Sequence, residues 1–402
     1  MNKYLFSLVL LVAFFSACNS TKNLFQVQNI NNLKKYTSTG LIYNLPKTKI
    51  FVEVEVLKIV QSKGPYADYT QNYLGSLKNS VTENKTEFEI SNVAFHSVPI
   101  PDTLNTYVLN TTDLGLLYGF SQTKEGFLIA LNSPEVVYEN NNFDVFGANN
   151  QNKKSEKLTF NVLTSDKNYK VVYDTIYQEE VYDTIIRKIP ILKKNVILKT
   201  TEEQAKDLAD QILVLRDDRA ALLVGEGDSD FLPDGDALQI MLDGIDELEK
   251  EYLSMFVGKI DTIRYTYTFS YVPDENVFYK KIILFKFSAN SGVLPADNLY
   301  GTPVFIEINA DNYVQNIRSF QQNQFLYQQM EKIKKNDGLV YRIPESAVLR
   351  VLYNSQIIAQ KSIFVAQLGT IESLPASLFE AGDVKIEFYP ELGSVKKIEI
   401  HK

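Results

Sequence analysis

The stretch Lys49-Ile50-Phe51-Val52-Glu53-Val54-Glu55-Val56-Leu57 has a period of two, and that period decides the kind of fold the chain adopts. Ile50, Val52, Val54 and Val56 fall on one side of an extended chain, with Phe51, Glu53, Glu55 and Leu57 on the other, so the segment reads as a strand with one buried and one mostly wet face. Outward from it, Gly64-Pro65 breaks the strand, and Tyr66, Tyr69 and Tyr73 follow at helical spacing up to Gly75. Further strands are expected at Glu87 to Phe95, Tyr107 to Asn110 and Gly126 to Leu131, giving an N-terminal β domain over 40–138. In ENNNFDVFGANNQNKKSEK, residues 139–157, Asn, Lys and Gly replace the strand pattern, and a linker or long loop is expected there.

The remainder, 158–402, reads as a C-terminal β region interrupted by helices. Val172-Tyr173-Asp174-Thr175-Ile176 recurs nine residues later as Val181-Tyr182-Asp183-Thr184-Ile185, which predicts two consecutive strands or one long ribbon. Thr200 and Glu203 have capping-box spacing, and Ala205, Leu208, Ala209, Ile212, Leu215, Leu222 and Leu223 follow along one helical stripe. A second helix from about Ala237 to Phe256 completes an antiparallel helical hairpin within 201–256. Strands resume at Ile260 to Val272, Phe278 to Phe287 and Val304 to Ile308, a short helix is expected over Phe320 to Lys335, and Val348 to Ile400 is again β. The fold class is therefore mainly β (α+β): two β-sheet or sandwich-like modules with an inserted helical hairpin.

One internal echo links the two modules. Gly40-Leu41-Ile42-Tyr43-Asn44-Leu45-Pro46-Lys47-Thr48 is matched by Gly338-Leu339-Val340-Tyr341-Arg342-Ile343-Pro344-Glu345-Ser346, each leading into a strand. Only the Asn44/Arg342 and Lys47/Glu345 pairs break the match. A proline at the same place in both points to a shared sheet edge or corner.

Composition narrows the chemistry. With 24 Tyr, 24 Phe and no Trp the chain favours strands, and with two histidines, His96 and His401, and one cysteine, Cys18, it cannot build a His-rich zinc, haem or iron–sulfur site; no cofactor is expected. The net charge of −8 argues against nucleic acid and against electrostatic docking to anionic lipid. A lone cysteine also excludes an intrachain disulfide.

Lys3, the uncharged apolar run Leu5 to Ala17 and the small residues before Cys18 follow the secretory pattern, and the run is too short to span a bilayer. The segment resembles a bacterial lipoprotein signal, in which residues 1–17 are removed and Cys18 is acylated; the competing reading is an ordinary signal peptide with an incidental cysteine. On the first reading, 18–39 is the lipidated cysteine with a flexible tether, and Asn19 points to the periplasmic side of the outer membrane. YNLPKTKIFVEVEV from Tyr43, GPYADYTQNYLG from Gly64, TEEQA at Thr201, LPDGDAL at Leu232 and GLVYRIP from Gly338 resemble a family of bacterial lipoproteins known as domain of unknown function 4831. That resemblance implies place and build, and no activity or site residue.

Candidate chemistry is sparse. Glu226, Asp228, Asp230, Asp234 and Asp236 form an acidic loop, but from Asp228 the EF-hand positions five, six and twelve fall on Leu232, Pro233 and Gln239, so a solvated turn with a helix cap is the expectation and a calcium loop the alternative. Tyr66, Tyr69 and Tyr73 could form an aromatic platform for a sugar or peptide, against packing on the sheet beneath. His96 has no motif around it that would make it a general base. Arg216, Asp217, Asp218 and Arg219 give the first helix a mixed-charge face suited to local ion pairs or to a partner. The expected function is non-enzymatic binding or scaffolding of envelope proteins or glycans, with acyl chains on Cys18 holding the membrane; a glycan- or peptide-binding module and a carboxylate-dependent hydrolase are the alternatives.

Overall fold

The computed structural model describes residues 25–32, 40–75, 80–111, 117–133, 136, 160, 168–183, 185–225, 235–275, 279–311, 338–380 and 383–401. The helix expected over 320–335 and the loop expected over 139–157 lie outside them. In chain order the strands are β1 (Phe25–Asn29), β2 (Leu41–Ser62), β3 (Lys85–Thr111), β4 (Phe120–Gln122), β5 (Leu128–Leu131), β6 (Tyr169–Tyr182), β7 (Ile185–Leu198), β8 (Lys259–Tyr271), β9 (Tyr279–Ser288), β10 (Gly292–Leu294), β11 (Thr302–Ala310), β12 (Gly338–Tyr353), β13 (Gln356–Pro375), β14 (Asp383–Tyr389) and β15 (Ser394–His401). The helices are α1 (Thr70–Tyr73), α2 (Thr201–Val224), α3 (Gly235–Val257) and α4 (Ser377–Glu380).

The mainly β expectation holds. The period-two segment lies in the middle of β2, and Ile50, Val52, Val54 and Val56 are all 0% exposed. They face Val304, Ile306, Leu349 and Val351 across a sandwich formed by sheet β1-β3-β2-β8 and sheet β10-β9-β11-β12-β13. Each such aliphatic side chain contributes on the order of 2 kcal/mol by leaving water. Phe269 of β8 stacks on Phe285 of β9 across this core, with ring centroids 4.6 Å apart.

At 22 residues β2 is about 70 Å long, too long for one sandwich, and it serves a second core. There Tyr43, Leu45 and Leu109 meet Leu131, Ile386 and Phe388 of a third sheet, β15-β14-β5-β4. Residues 87–95 and 107–110, expected as separate strands, are one continuous β3 that accompanies β2 through both cores. The pairing of the long strands shifts register between Asn44 and Pro46 in β2 and between Ile343 and Glu345 in β12, irregularities of the β-bulge kind.

The division into an N-terminal module over 40–138 and a C-terminal one over 158–402 is corrected by the pairing. β8 joins β2 along thirteen residue pairs, and β14 joins β5, so strands from both sides of the expected boundary share sheets. Periodicity reports which face of a strand is buried, whereas its neighbour is chosen by packing far along the chain. The ribbon expected at the VYDTI repeat is present as β6–β7: the first copy lies inside β6, and the second ends that strand at Val181 and Tyr182 and reaches β7 at Ile185, with Asp183 between them at φ 61°.

The helical hairpin is attached at its base. Ala205, Leu208, Ala209 and Ile212 of α2 pack with Met255 and Phe256 of α3, while Leu213, Val214, Leu223 and Val224 further along α2 are exposed. The capping box is present: Glu203 N–H donates to Thr200 Oγ1 and Thr200 N–H donates to a Glu203 carboxylate oxygen at 2.9 Å. Thr200→Ala is expected to cost about 1 kcal/mol in denaturant unfolding, and no loss would show that tertiary contacts alone hold this helix start.

Candidate functional site

Two places in the fold carry more than packing requires. The first is a buried crossing between the two copies of the GLxYxxP motif. Aligning Gly40 with Gly338 superimposes their pairings: opposite the proline, β3 makes an excursion at Asp102 to Asn105, and β13 makes one at Ala366 to Gly369. The pairs Lys47–Ile100 and Glu345–Val365 then put Asp102 and Gln367 at corresponding positions. Both side chains are buried, and each reaches into the other copy.

Asp102 receives Arg342 Nη2 from β12, Asn105 Nδ2 at 2.7 Å, the backbone N–H of Leu104 at 3.2 Å and Lys47 Nζ at 3.1 Å. The cations Lys47 and Arg342 occupy the two positions at which the repeats differ. Lys47 also pairs with Glu275 at 2.8 Å. Burial disfavours its charged form, but the bonds to Glu275 and Asp102 outweigh that and hold its pKa above the ordinary lysine value. Burial pushes the Arg342 guanidinium below its ordinary pKa, against the pull of Asp102.

Gln367 makes the reciprocal reach. Its Oε1 accepts from Thr48 N–H at 2.8 Å, and its Nε2 donates to Thr48 C=O at 3.0 Å and to Pro273 C=O at 3.1 Å. Continuing the β2–β8 register beyond Ile50–Tyr271 would place Thr48 opposite Pro273, which has no N–H to give. At the matching place in the second copy Asp311 N–H donates directly to Ser346 C=O at 3.0 Å. The Gln367 amide thus stands in for the backbone hydrogen bond that proline removes. Tyr43 adds a third tie: its hydroxyl accepts from Val340 N–H at 3.0 Å and donates to Val340 C=O at 3.1 Å. Burial raises the Tyr43 phenol well above its ordinary pKa, so it remains a donor across the working pH range. These bonds join the two hairpins, and they leave Arg342 Nε buried without a hydrogen-bond partner.

The second place is the β6–β7 ribbon together with the helical hairpin. Lys170 of β6 bonds Glu203 of α2, and Lys199 bonds Asp207, so both features spring from one base. Beyond Val172 and Asn195 the residues of the ribbon whose side chains are described are exposed, among them Tyr173, Tyr177, Val181 and Leu192. On the helices, Arg216 pairs with Glu249 and Arg219 with Asp246, each at 2.7 Å, so the mixed-charge face of α2 ties it to α3.

The tyrosines singled out by sequence do converge. Tyr66 is 5% exposed, its ring lies against Phe256 and its hydroxyl donates to Gln204; Tyr73 donates to Glu202, and Tyr69 packs in the same cluster. They seat the base of the helical hairpin. His96 lies on the outer face of the first sheet, 3.6 Å from Glu53. Of the acidic loop, Asp236 stands in the first turn of α3, whereas Asp228, Asp230 and Asp234 lie outside the described residues, as does Cys18. Among the described residues no cluster of three or more His, Cys, Asp or Glu side chains is placed to hold a metal, and no helix is long and apolar enough to cross a membrane.

Sequence reasoning did not find Asp102 or Gln367. The signal that could have led to them is the pair of mismatches within the motif echo, since a cation inserted at a position destined for burial demands a buried anion.

These features define a class: an antiparallel β-sandwich protein built on two interlocked, bulged hairpins and carrying a two-stranded ribbon and a helical hairpin. A family model described as a domain of unknown function, DUF4831, matches residues 39–195 and 172–396, and the chain belongs to that family. No curated protein and no solved structure matches it.

Proposed function

We propose that this chain is a lipid-anchored envelope protein, held on the periplasmic side of the outer membrane through acyl groups on Cys18, that binds or scaffolds other envelope components without catalysis. The observation that carries this reading is the β6–β7 ribbon. A lone two-stranded ribbon is marginally stable in water, and here its strands expose large apolar side chains, including Tyr177 at 63%, Val181 at 70% and Leu192 at 68%. A surface of that kind marks a contact site. The tyrosines at 66, 69 and 73 are engaged in packing, whereas on the ribbon Tyr169, Tyr173 and Tyr177 are open to a partner.

A photo-crosslinking residue at Tyr177 is expected to give discrete adducts in intact cells, whereas the same probe at Thr268, on the outer face of the first sheet, gives none. Cys18→Ala is expected to move the protein from the membrane fraction to the soluble one. Absence of any Tyr177 adduct would remove the contact reading, and a Cys18→Ala protein still fractionating with membranes would remove the anchor.

A further inference from the structure

We infer that the partner of the ribbon is a second copy of this chain, bound face to face with the two ribbons running parallel; this rests on the contact role proposed above. The register of β6 on β7 divides the ribbon into two faces. The face carrying Lys170 turns toward the body: Lys170 bonds Glu203, and Val172 and Asn195 are half-buried. On the opposite face Tyr169, Val171, Val196 and Leu198, at the same level, stay exposed. That free face is apolar along its length apart from Thr175, Lys194 and the cross-strand pair Glu179–Lys188, whose charges lie 3.5 Å apart.

The charges decide how two such faces can meet. With a two-fold axis along the ribbon, each β6 residue of one copy lies over its own cross-strand partner on β7 of the other. Glu179 then faces Lys188, Tyr177 faces Pro190, and Tyr173 faces the Lys194 ammonium, a cation over a ring. With the axis across the ribbon, β6 lies over β6 and β7 over β7. On this face β6 carries no positive charge and β7 no negative one, so in that arrangement no register brings Glu179 or Lys188 an opposite charge from the other copy, and each is covered with only its own cross-strand partner to offset the lost water. The parallel arrangement is therefore selected. Edge pairing is the poorer alternative along β7, where Pro190 removes a donor.

Size sets the expected strength. Fourteen residues at the strand rise give a ribbon about 46 Å long and about 10 Å wide, hence a footprint of roughly 450 Å² per copy, against about 800 Å² in a standard interface. Association in solution should accordingly be weak, and confinement on a membrane would strengthen it through effective concentration.

Sedimentation velocity on the purified full chain in detergent, from about 1 to about 100 μM, tests this at the concentrations a small interface requires. The unaltered chain is expected to pass from monomer to dimer over that range. Glu179→Lys and Lys188→Glu should each weaken dimerisation by about tenfold or more, and the double exchange should restore it to within about threefold. Because the pair is exposed in the monomer, the thermal midpoint of each variant should stay close to that of the parent, which separates lost association from lost folding. A chain monomeric throughout, or a dimer indifferent to both single exchanges, overturns the inference. A monomeric chain whose Tyr177 probe still captures another protein overturns only the identity of the partner, whereas loss of every Tyr177 adduct overturns the contact role itself.

Discussion

Arg342→Met should lower the unfolding free energy by about 3 kcal/mol, among the largest effects expected of any single substitution outside the aliphatic cores. The Asp102 side chain is 0% exposed and that of Arg342 3%, so removing the guanidinium leaves a buried carboxylate with one remaining cation, Lys47. Lys47 keeps the loss below the top of the range for an orphaned buried charge, because it is itself partly wet and shared with Glu275. Arg342→Lys should recover only part of the stability, since an ammonium lacks the planar fork of the guanidinium. Asp102→Leu combined with Arg342→Met should be markedly more stable than the sum of the single losses predicts, because the charge penalty disappears with its last owner. A denaturant double-mutant cycle checks this, and strictly additive losses would show that the two groups do not act as a pair.

Gln367→Ala is the second large effect, a loss of about 3 kcal/mol by a different route. It leaves Thr48 N–H, Thr48 C=O and Pro273 C=O without partners, each costing on the order of 1 kcal/mol or more in a buried setting. Gln367→Glu makes the cause visible through pH. A carboxylate in this place would direct negative oxygen at two carbonyl oxygens, so its folded-state pKa must rise above the value of about 4.3 it has in the unfolded chain. Stability referenced to the parent is then best retained below that unfolded pKa and falls as pH rises toward the folded one. Equal destabilisation of Gln367→Glu at acidic and neutral pH would refute the role assigned to the amide. A loss in Gln367→Ala well under 1 kcal/mol would show that water replaces it.

How far these ties were legible differs residue by residue. The strand at Ile50 to Val56 was readable because alternation is a local property of an extended chain, and the helix start at Thr200 because both partners of its capping box lie within one turn. The motif echo between Gly40 and Gly338 was readable too, including the two positions at which it fails. Its meaning was not: Asp102 lies in a stretch with no internal pattern, and Gln367 is one of many polar residues in a long strand. Their partners are separated from them by 240 and 319 residues, a distance over which no periodicity carries information. For Tyr66, Tyr69 and Tyr73 the helical spacing was apparent, and the structure supplies what the spacing faces, the base of α2 and α3.

The sequence by itself determined the mainly β class, the buried side of the strand at Ile50 to Val56, the helical hairpin with its cap, the duplicated proline motif and the absence of an intrachain disulfide, because these depend on neighbours a few residues apart or on composition alone. Only the tertiary structure decided that β2 pairs with β8 and β5 with β14, that the two motif copies interlock through Asp102 and Gln367, and that the β6–β7 ribbon exposes its apolar face. The physical reason is that hydrophobic patterning is nearly indifferent to which apolar surface covers which. Buried charges and unpaired backbone groups admit one partner in one geometry, and that partner is found only when the chain has closed on itself.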